Sequence, residues 1–135
     1  MDAQVLEFLK ADRHAILATK GRNGAPQLTP VWYVFEDGVL YVSAQTSTVK
    51  VRNLRRDATV SVCIDGGRGD ARYVVLSGQA ELIEPGERQK ELRRQIIWHY
   101  HADEAEAERY YETIKHTTSA VIVLRPERLL TMGFG

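Results

Sequence analysis

The feature that most constrains the fold of this chain is a series of short segments rich in β-branched and aromatic residues, closely spaced and separated by turn signals. The Asp37-Gly38 dipeptide, for example, is a two-residue hairpin signal between two such segments. The segments predict strands at residues 14–19, 27–35, 39–44, 59–65, 72–83 and 119–124, with 128–132 as an optional short last strand. Because the regular alternation of strand and helix that marks a doubly wound sheet is missing, the pattern predicts a mainly β, α+β barrel with peripheral helices.

Three stretches have helical character. Residues 2–12 read as a short amphipathic helix with Asp2 as its N-cap, and residues 47–57 as a second helix that begins with hydroxyl residues. Residues 86–115 are helical with a break near 101–103. No repeat, low-complexity tract or linker interrupts the chain, so we expect a single domain over residues 1–135.

The charge balance restricts the classes of partner. Lys plus Arg equals Asp plus Glu, with 18 of each, so the formal net charge is zero. Binding to nucleic acid or to a membrane surface needs a surplus of cations, and no apolar run approaches the roughly 20 residues of a membrane helix, so neither partner is expected. The single cysteine, Cys63, excludes an internal disulfide, and the charged first residues do not resemble a signal peptide. We therefore expect a cytoplasmic protein.

The segment 47–57 is a candidate phosphate site. A helix N-terminus offers unpaired N–H groups and a partial positive charge, and here Ser47, Thr48 and Lys50 add hydroxyl and ammonium donors. Lys50 and Arg52 are two positions apart and point to different sides, so we expect only one of them, Lys50, to contact a phosphate directly. A solvated basic helix face is the alternative interpretation of the same segment.

A second candidate is the apolar strand at 29–35, which Pro30 interrupts. Proline cannot donate to a strand ladder, so this strand is predicted at a sheet edge, a bulge or an opening, where free backbone groups can meet the polar edge of a flat ring. Trp32 is a candidate wall for such a ring, although residue type alone favours an ordinary core or interface role for Trp32 and Tyr33.

No self-contained protein catalyst emerges from the remaining residues. His99 and His101 do not share a helix face, so no metal site is expected, and Cys63 reads as a small core residue within an alternating strand. This is typical of an enzyme whose bound cofactor supplies the reactivity while the protein supplies position and electrostatics.

Taken together, the segments resemble the pyridoxamine-phosphate-oxidase-like, FMN-binding split-barrel superfamily, and most closely its short deazaflavin-dependent class. The resemblance covers almost the whole chain in the expected order. Its motifs are ILAT (16–19), G-x-PQLTPVWYVF (24–35), LYVSA (40–44), KVRNLRRD (50–57), VSVCID (60–65), LSGQAEL (76–82) and RPERLL (125–130). It implies a six-stranded antiparallel split β-barrel with peripheral helices, assembled as a homodimer with cofactor sites at the subunit interface.

The resemblance also implies roles for individual residues. Thr48 and Lys50 would hold the cofactor phosphate, Asn53 would brace the phosphate loop from within the fold, and Arg52 would assist. Tyr73 would approach from the second subunit. The ring and its side chain would be lined by Gln27, Thr29, Pro30, Val31, Trp32, Ser43 and Ala44.

Two departures from the family pattern modify this expectation. Val49 stands where relatives often carry a second cation, which implies weaker phosphate binding. The arginine-bearing tail of true pyridoxamine-phosphate oxidases has no counterpart in residues 132–135, so classical vitamin B6 oxidation is not expected.

The function implied is a flavin- or deazaflavin-dependent oxidoreductase that uses coenzyme F-420 to transfer hydride to a small unsaturated molecule, with FMN as the alternative cofactor. The poly-acidic tail of F-420 requires a cationic groove, for which the candidates are Lys20, Arg22, Arg52, Arg55 and Arg56. A non-catalytic flavin carrier is a second hypothesis. A haem-handling barrel is a third, although no histidine lies within the matched cofactor segments.

Overall fold

The computed structural model describes all residues 1–135 and contains eight strands and four helices. The strands are β1 (Ala15–Lys20), β2 (Pro26–Val31), β3 (Tyr33–Glu36), β4 (Val39–Gln45), β5 (Thr59–Asp65), β6 (Tyr73–Ile83), β7 (Ser119–Leu124) and β8 (Arg128–Met132). The helices are α1 (Ala3–Lys10), α2 (Val49–Arg56), α3 (Glu87–His99) and α4 (Glu104–Ile114). The predicted mainly β, α+β class is confirmed.

All neighbouring strands are antiparallel, in the order β2-β1-β5-β6-β7-β4-β3, with β8 beside β6. The 11-residue strand β6 serves both halves of this sheet. Its first part pairs with β5 as far as Gln79, and its last part, from Ala80 to Ile83, pairs with β7. This change of partner curls the sheet into a half-barrel with β2 and β3 at its two edges.

The strand count differs from the six predicted. The stretch 27–35 is two strands rather than one, because β2 pairs with β1 whereas β3 pairs with β4 at the opposite end of the sheet. The break falls at Trp32, two residues after Pro30, which lies in the edge strand β2. An edge position for Pro30 agrees with the prediction from its missing N–H group. The optional strand at 128–132 is also present, as β8.

The core lies inside the curl, and two helices close it. It is a cluster of 19 buried residues, to which α1 contributes Val5, Phe8 and Leu9, and α2 contributes Val51 and Leu54. Asp2 caps α1 as predicted, since its Oδ1 accepts a hydrogen bond of 2.7 Å from the backbone N–H of Gln4. Packing of Val51 and Leu54 fixes the orientation of α2, and with it the position of the N-terminus of that helix.

The helical excursion forms a separate layer. The predicted break near 101–103 lies between α3 and α4, and α3 packs on β3, β4 and β7. The buried face of α3 consists of Gln89, Arg93, Ile96 and Ile97. No helix in the structure combines the length and the apolar character that crossing a membrane requires.

Candidate functional site

A cleft of about 550 Å³ lies between the sheet and the α3–α4 layer. The β2–β3 junction, the end of β4 and the first turn of α2 form one side, and α3, α4 and the start of β7 form the other. The cleft brings together seven of the predicted site residues, namely Pro30, Val31, Trp32, Ser43, Ala44, Thr48 and Lys50.

A tight connection places the N-terminus of α2 at one end of this cleft. Ser43 and Ala44 lie in β4 opposite Val121 and Ala120 of β7. The Thr48 hydroxyl donates a 2.7 Å hydrogen bond to the carbonyl of Gln45, so it secures the turn and does not cap α2. The first-turn N–H groups of α2 therefore have no side-chain partner, as an anion-binding helix end requires.

Lys50 is the cation that this helix end presents to the cleft. It is half-buried, it has no ion pair, and burial lowers the pKa of its ammonium group. None of the residues that line the cleft is acidic. An anionic ligand would complement this charge, which fits a cofactor phosphate.

Arg93 of α3 lines the same cleft and is the only charged side chain in the buried class, with 4% of its surface exposed. Its Nη1 donates to the Ser119 hydroxyl at 3.1 Å and to the Thr117 carbonyl at 3.3 Å, and its Nη2 donates to the Lys115 carbonyl at 3.4 Å. Its Nε is buried and has no partner. The guanidinium is thus held by neutral acceptors alone.

The other end of the cleft is aromatic. The indole of Trp32 stacks on the Tyr100 ring, with centroids 5.0 Å apart and 10° between the planes, and it also contacts His101 and Tyr110. The Tyr100 hydroxyl accepts from the backbone N–H of Tyr33 and donates to a backbone carbonyl, and burial raises the pKa of this phenol to about 12. Trp32 is therefore both a cleft wall and a packed residue, so the two sequence interpretations apply together.

Five predicted site residues lie outside the cleft. Gln27, Arg52 and Asn53 line a neighbouring groove of about 400 Å³. The Thr29 hydroxyl is buried and has no hydrogen-bond partner, and Thr29 lines neither space, although Gln27 and Val31 share its face of β2. Tyr73 begins β6 opposite Met132, on the outer face of the sheet.

A buried polar network underlies the neighbouring groove. The Asn53 amide donates to the Thr19 hydroxyl at 3.0 Å, and this hydroxyl donates to Gln27 at 3.2 Å. The Asn53 carbonyl oxygen accepts from Arg56 at 2.9 Å. Asn53 thereby ties α2 to β1 and β2, a placement that suits the predicted bracing role.

The charges around this groove differ from the predicted set. Arg55 pairs with Glu84 at 2.7 Å, and Lys20 lies 3.7 Å from Asp57, so neutralising carboxylates accompany both residues. Arg22, Arg52 and Arg56 line the groove and have no carboxylate partner. These three, called the groove arginines below, leave the groove cationic.

Sequence reasoning missed the α3–α4 side of the cleft. The residues not predicted are His14, Gln45, Arg93, Ile96, Ile97, Tyr110, Ile114, Thr117 and Ser119. One signal was available, because Gln89, Arg93, Ile96 and Ile97 share a face of an otherwise charged helix. An arginine on an apolar helix face indicates a buried cation that needs partners.

The cleft can therefore hold an anion at the α2 end and a flat ring beside Trp32. The His14 imidazole and the Tyr110 phenol also line it and offer side-chain hydrogen-bonding groups. These features fit a flavin-type group, in which a planar ring system is linked to a phosphate.

Comparison with solved structures shows that other proteins share this fold. A conserved hypothetical protein from Mycobacterium tuberculosis matches with 25% sequence identity and a TM-score of 0.79, over 100% of this chain and 92% of that chain. An F-420 reductase matches with 19% identity and a TM-score of 0.72, over 92% of this chain and 94% of that chain. A heme binding protein from Mycobacterium smegmatis matches with 23% identity and a TM-score of 0.73, over 98% of this chain and 55% of that chain.

The family itself is shown by sequence. Residues 1–133 match the family model described as pyridoxamine 5'-phosphate oxidase. The half-barrel fold and the cleft at the α2 N-terminus agree with that match, and this chain therefore belongs to the pyridoxamine 5'-phosphate oxidase family of flavin-binding split barrels.

Proposed function

We propose that this protein is a coenzyme F-420-dependent oxidoreductase that transfers hydride to a small unsaturated substrate. The observation that carries the proposal is a cleft in which half-buried Lys50 and buried Arg93 have no carboxylate partner. Burying cations without counter-ions costs free energy, so such a cleft favours an anionic ligand. A phosphate-bearing ring cofactor matches both the cationic and the aromatic ends.

Different residues would hold the phosphate and the ring of the cofactor. Lys50 and the N–H groups of α2 would bind the phosphate, whereas Pro30, Val31 and Trp32 would position the ring. When bound in its reduced form, the deazaflavin would supply a hydride to the substrate, and solvent would supply the proton that completes the reduction. The protein's part is to orient the ring and to exclude water with the Ile96, Ile97 and Ile114 side chains of the α3–α4 layer.

The groove arginines favour F-420 over FMN. Arg52 and Arg56 belong to α2 and Arg22 to the β1–β2 turn, and all three are exposed, line the groove beside α2 and lack carboxylate partners. The acidic tail of F-420 extends beyond its phosphate and needs such a surface, whereas FMN ends at its phosphate. An FMN-dependent oxidase or reductase is the second candidate, because Lys50 and Arg93 suffice for a phosphate monoester without the groove.

We further propose that the active unit is a homodimer formed through the outer face of the sheet. One row of uncharged side chains crosses five strands there, since Pro30 pairs with Ile16, Ile16 with Cys63, Cys63 with Val75 and Val75 with Leu130. Leu28 and Leu130 on this face are 61% and 56% exposed.

A second copy of the chain is the occupant we propose for this face, because Pro30 belongs to both the face and the cleft and would bring a partner's Tyr73 side chain towards the ring. The expected mass in solution is near twice 15.3 kDa. Leu130→Lys should yield monomers that have also lost cofactor affinity. A monomeric wild-type protein with intact affinity would contradict the shared site.

The proposed function is tested by parallel fluorescence titrations of the protein with F-420 and FMN at moderate salt. Tight and salt-sensitive binding of F-420, with weak binding of FMN, is the expected result. Tight binding of FMN alone would transfer the proposal to flavin oxidase or reductase chemistry. A haemin titration provides a third arm, because His14 lies in the cleft as a candidate axial ligand. Binding of haemin alone would overturn the proposal.

Turnover is tested separately, because a carrier would bind the cofactor equally well. Oxidation of bound reduced F-420 by a panel of conjugated electrophiles should be faster than oxidation in free solution. If bound and free reduced F-420 are oxidised at equal rates by every electrophile of the panel, the result favours the carrier hypothesis.

A further inference from the structure

We infer that Arg93 is the second cation of the phosphate site, reaching the anion from the α3–α4 layer and supplying the charge that Val49 does not provide. This inference rests on the proposed flavin-type cofactor. Val49 lines the neighbouring groove and not the cleft, so the family position for a second cation is turned away from the cleft here.

Backbone pairing brings Arg93 to the α2 end of the cleft. Its Nη1 is 3.1 Å from the Ser119 hydroxyl, and Ser119 is the register partner of Gln45. The Gln45 carbonyl in turn accepts the hydroxyl of Thr48, the N-cap of α2. The guanidinium and the first turn of α2 are thus joined through two adjacent strand ends.

The charge of Arg93 is not balanced by any protein carboxylate. Some exposed arginines have a carboxylate partner, with Arg55 at 2.7 Å from Glu84 and Arg125 at 2.8 Å from Glu81. The buried Arg93 instead has neutral partners at 3.1–3.4 Å and an Nε with no partner. A buried ion is stable only when an opposite charge or strong hydrogen bonds compensate it. An anion in the cleft completes this site.

The position favours the phosphate of the cofactor over an acidic group of the substrate. Thr117 and Ser119 hold Arg93, and Thr118 lies between them. The Thr118 carbonyl accepts a 3.0 Å hydrogen bond from the backbone N–H of Thr46, which is two residues before the N-cap of α2. The substrate's place is beside the ring, at the Trp32 end. The phosphate of F-420 is esterified on both sides and has two terminal oxygens, whereas the monoester of FMN has three. Each terminal oxygen accepts more than one hydrogen bond, so either phosphate can accept from Lys50, the helix N–H groups and a guanidinium together.

The test compares FMN with riboflavin, which has the same ring and no phosphate. Arg93→Gln should weaken FMN binding by about tenfold, the lower range for a hydrogen bond to a charged group, and should leave riboflavin binding unchanged. Arg94→Gln is the matched control, since Arg94 is adjacent, exposed and paired with Glu108 at 3.4 Å. If Arg93 only anchors the carbonyls after α4, FMN and riboflavin will lose affinity equally. That result overturns the inference.

A second measurement uses inorganic phosphate alone and separates this inference from the proposed function. Added phosphate should raise the Tm of the wild-type protein and should raise that of Arg93→Gln much less. If neither flavin nor F-420 binds but phosphate still stabilises through Arg93, the anion site holds and the cofactor assignment fails. Equal stabilisation of both proteins overturns the inference.

If Arg93→Gln does not fold, Arg93→Lys provides the comparison, because it retains the charge and loses the planar fork. The ratio of FMN to riboflavin affinity should still fall by about threefold or more, since an ammonium group cannot reproduce the hydrogen bonds of the fork. An unchanged ratio in a folded Arg93→Lys protein overturns the inference.

Discussion

Two cationic regions adjoin α2, and they differ in burial. In the cleft pair, Lys50 is half-buried and Arg93 is buried, whereas the groove arginines Arg22, Arg52 and Arg56 are exposed. Salt screens exposed charges over about 10 Å at 0.1 M and screens buried charges much less. We therefore expect the cleft pair to bind the phosphate by direct contact, with little dependence on salt. We expect the groove arginines to favour a ligand with an acidic tail, and this preference should weaken as the salt concentration rises.

The two regions are coupled through α2 but do not share side chains. Along this helix Lys50 meets the cleft, while Arg52 and Arg56 meet the groove. Asn53 lies buried between them and fixes the helix to β1 through Thr19. A substitution on one side of α2 should therefore act on one part of the ligand, and each of the following experiments tests that separation.

The largest effect is expected from Lys50→Ala. It removes a half-buried ammonium group that has no protein partner, so it should weaken FMN and F-420 binding alike, by about 1.5–3 kcal/mol. Titration calorimetry or fluorescence measures this directly. Lys90→Ala, an exposed lysine of α3, is the control and should have no effect. Unchanged affinity in Lys50→Ala would remove Lys50 from the site.

The pH dependence of FMN binding should follow the protonation state of Lys50. Burial lowers the pKa of Lys50, so this group loses its proton at a lower pH than an ordinary lysine does. An anion binds the protonated form, and therefore FMN affinity should fall as pH rises through this lowered pKa, by at most about tenfold per pH unit. Above about pH 7.5 the phosphate itself no longer titrates, because its second pKa is near 6.

A matched variant gives this pH prediction its control. Lys50→Arg retains the charge but cannot be deprotonated, so its affinity should stay constant over the pH range in which the affinity of the wild type falls. The same decline in both proteins would show that another group titrates. For the protein without ligand, the unfolded state binds more protons over this window, so the free energy of unfolding should rise with pH as Lys50 is neutralised.

A smaller and more selective effect is expected from Arg22→Gln combined with Arg52→Gln. These side chains lie outside the cleft, so F-420 affinity should fall by about 0.5–1 kcal/mol per arginine, while FMN affinity stays constant. Raising the salt concentration should abolish the difference from the wild type. Arg55→Gln, on the same helix but paired with Glu84, serves as the control. An equal loss of FMN affinity would mean that the cleft pair and the groove arginines contact the same part of the ligand.

The sequence was sufficient where the determining contacts are local. The Asp2 cap, the turn at Asp37-Gly38 and the break between α3 and α4 each depend on a few neighbouring residues. Asp37 and Gly38 both have positive φ, as the hairpin signal requires. The predicted position of Thr48 and Lys50 at the start of a helix is confirmed for the same reason, since a helix N-terminus is a local feature, and their role in binding a phosphate stays a prediction.

Prediction failed where the partner is distant along the chain. Residues 27–35 read as one strand, because their division into β2 and β3 depends on which strands flank them at the two edges of the sheet. Arg93 was missed because its partners, Thr117 and Ser119, are 24 and 26 residues away.

The smallest effect is expected from adding a cation at Val49. This residue is 44% exposed and lines the groove, so Val49→Arg places its charge among the groove arginines and not in the cleft. F-420 affinity should rise by about 0.5 kcal/mol at low salt, the range for exposed charge pairs, and FMN affinity should not change. Val49→Gln is the control, because glutamine has an unbranched polar side chain like arginine but carries no charge. A gain for FMN as large as the gain for F-420 would mean that position 49 reaches the phosphate, and the division between cleft pair and groove arginines would then be wrong.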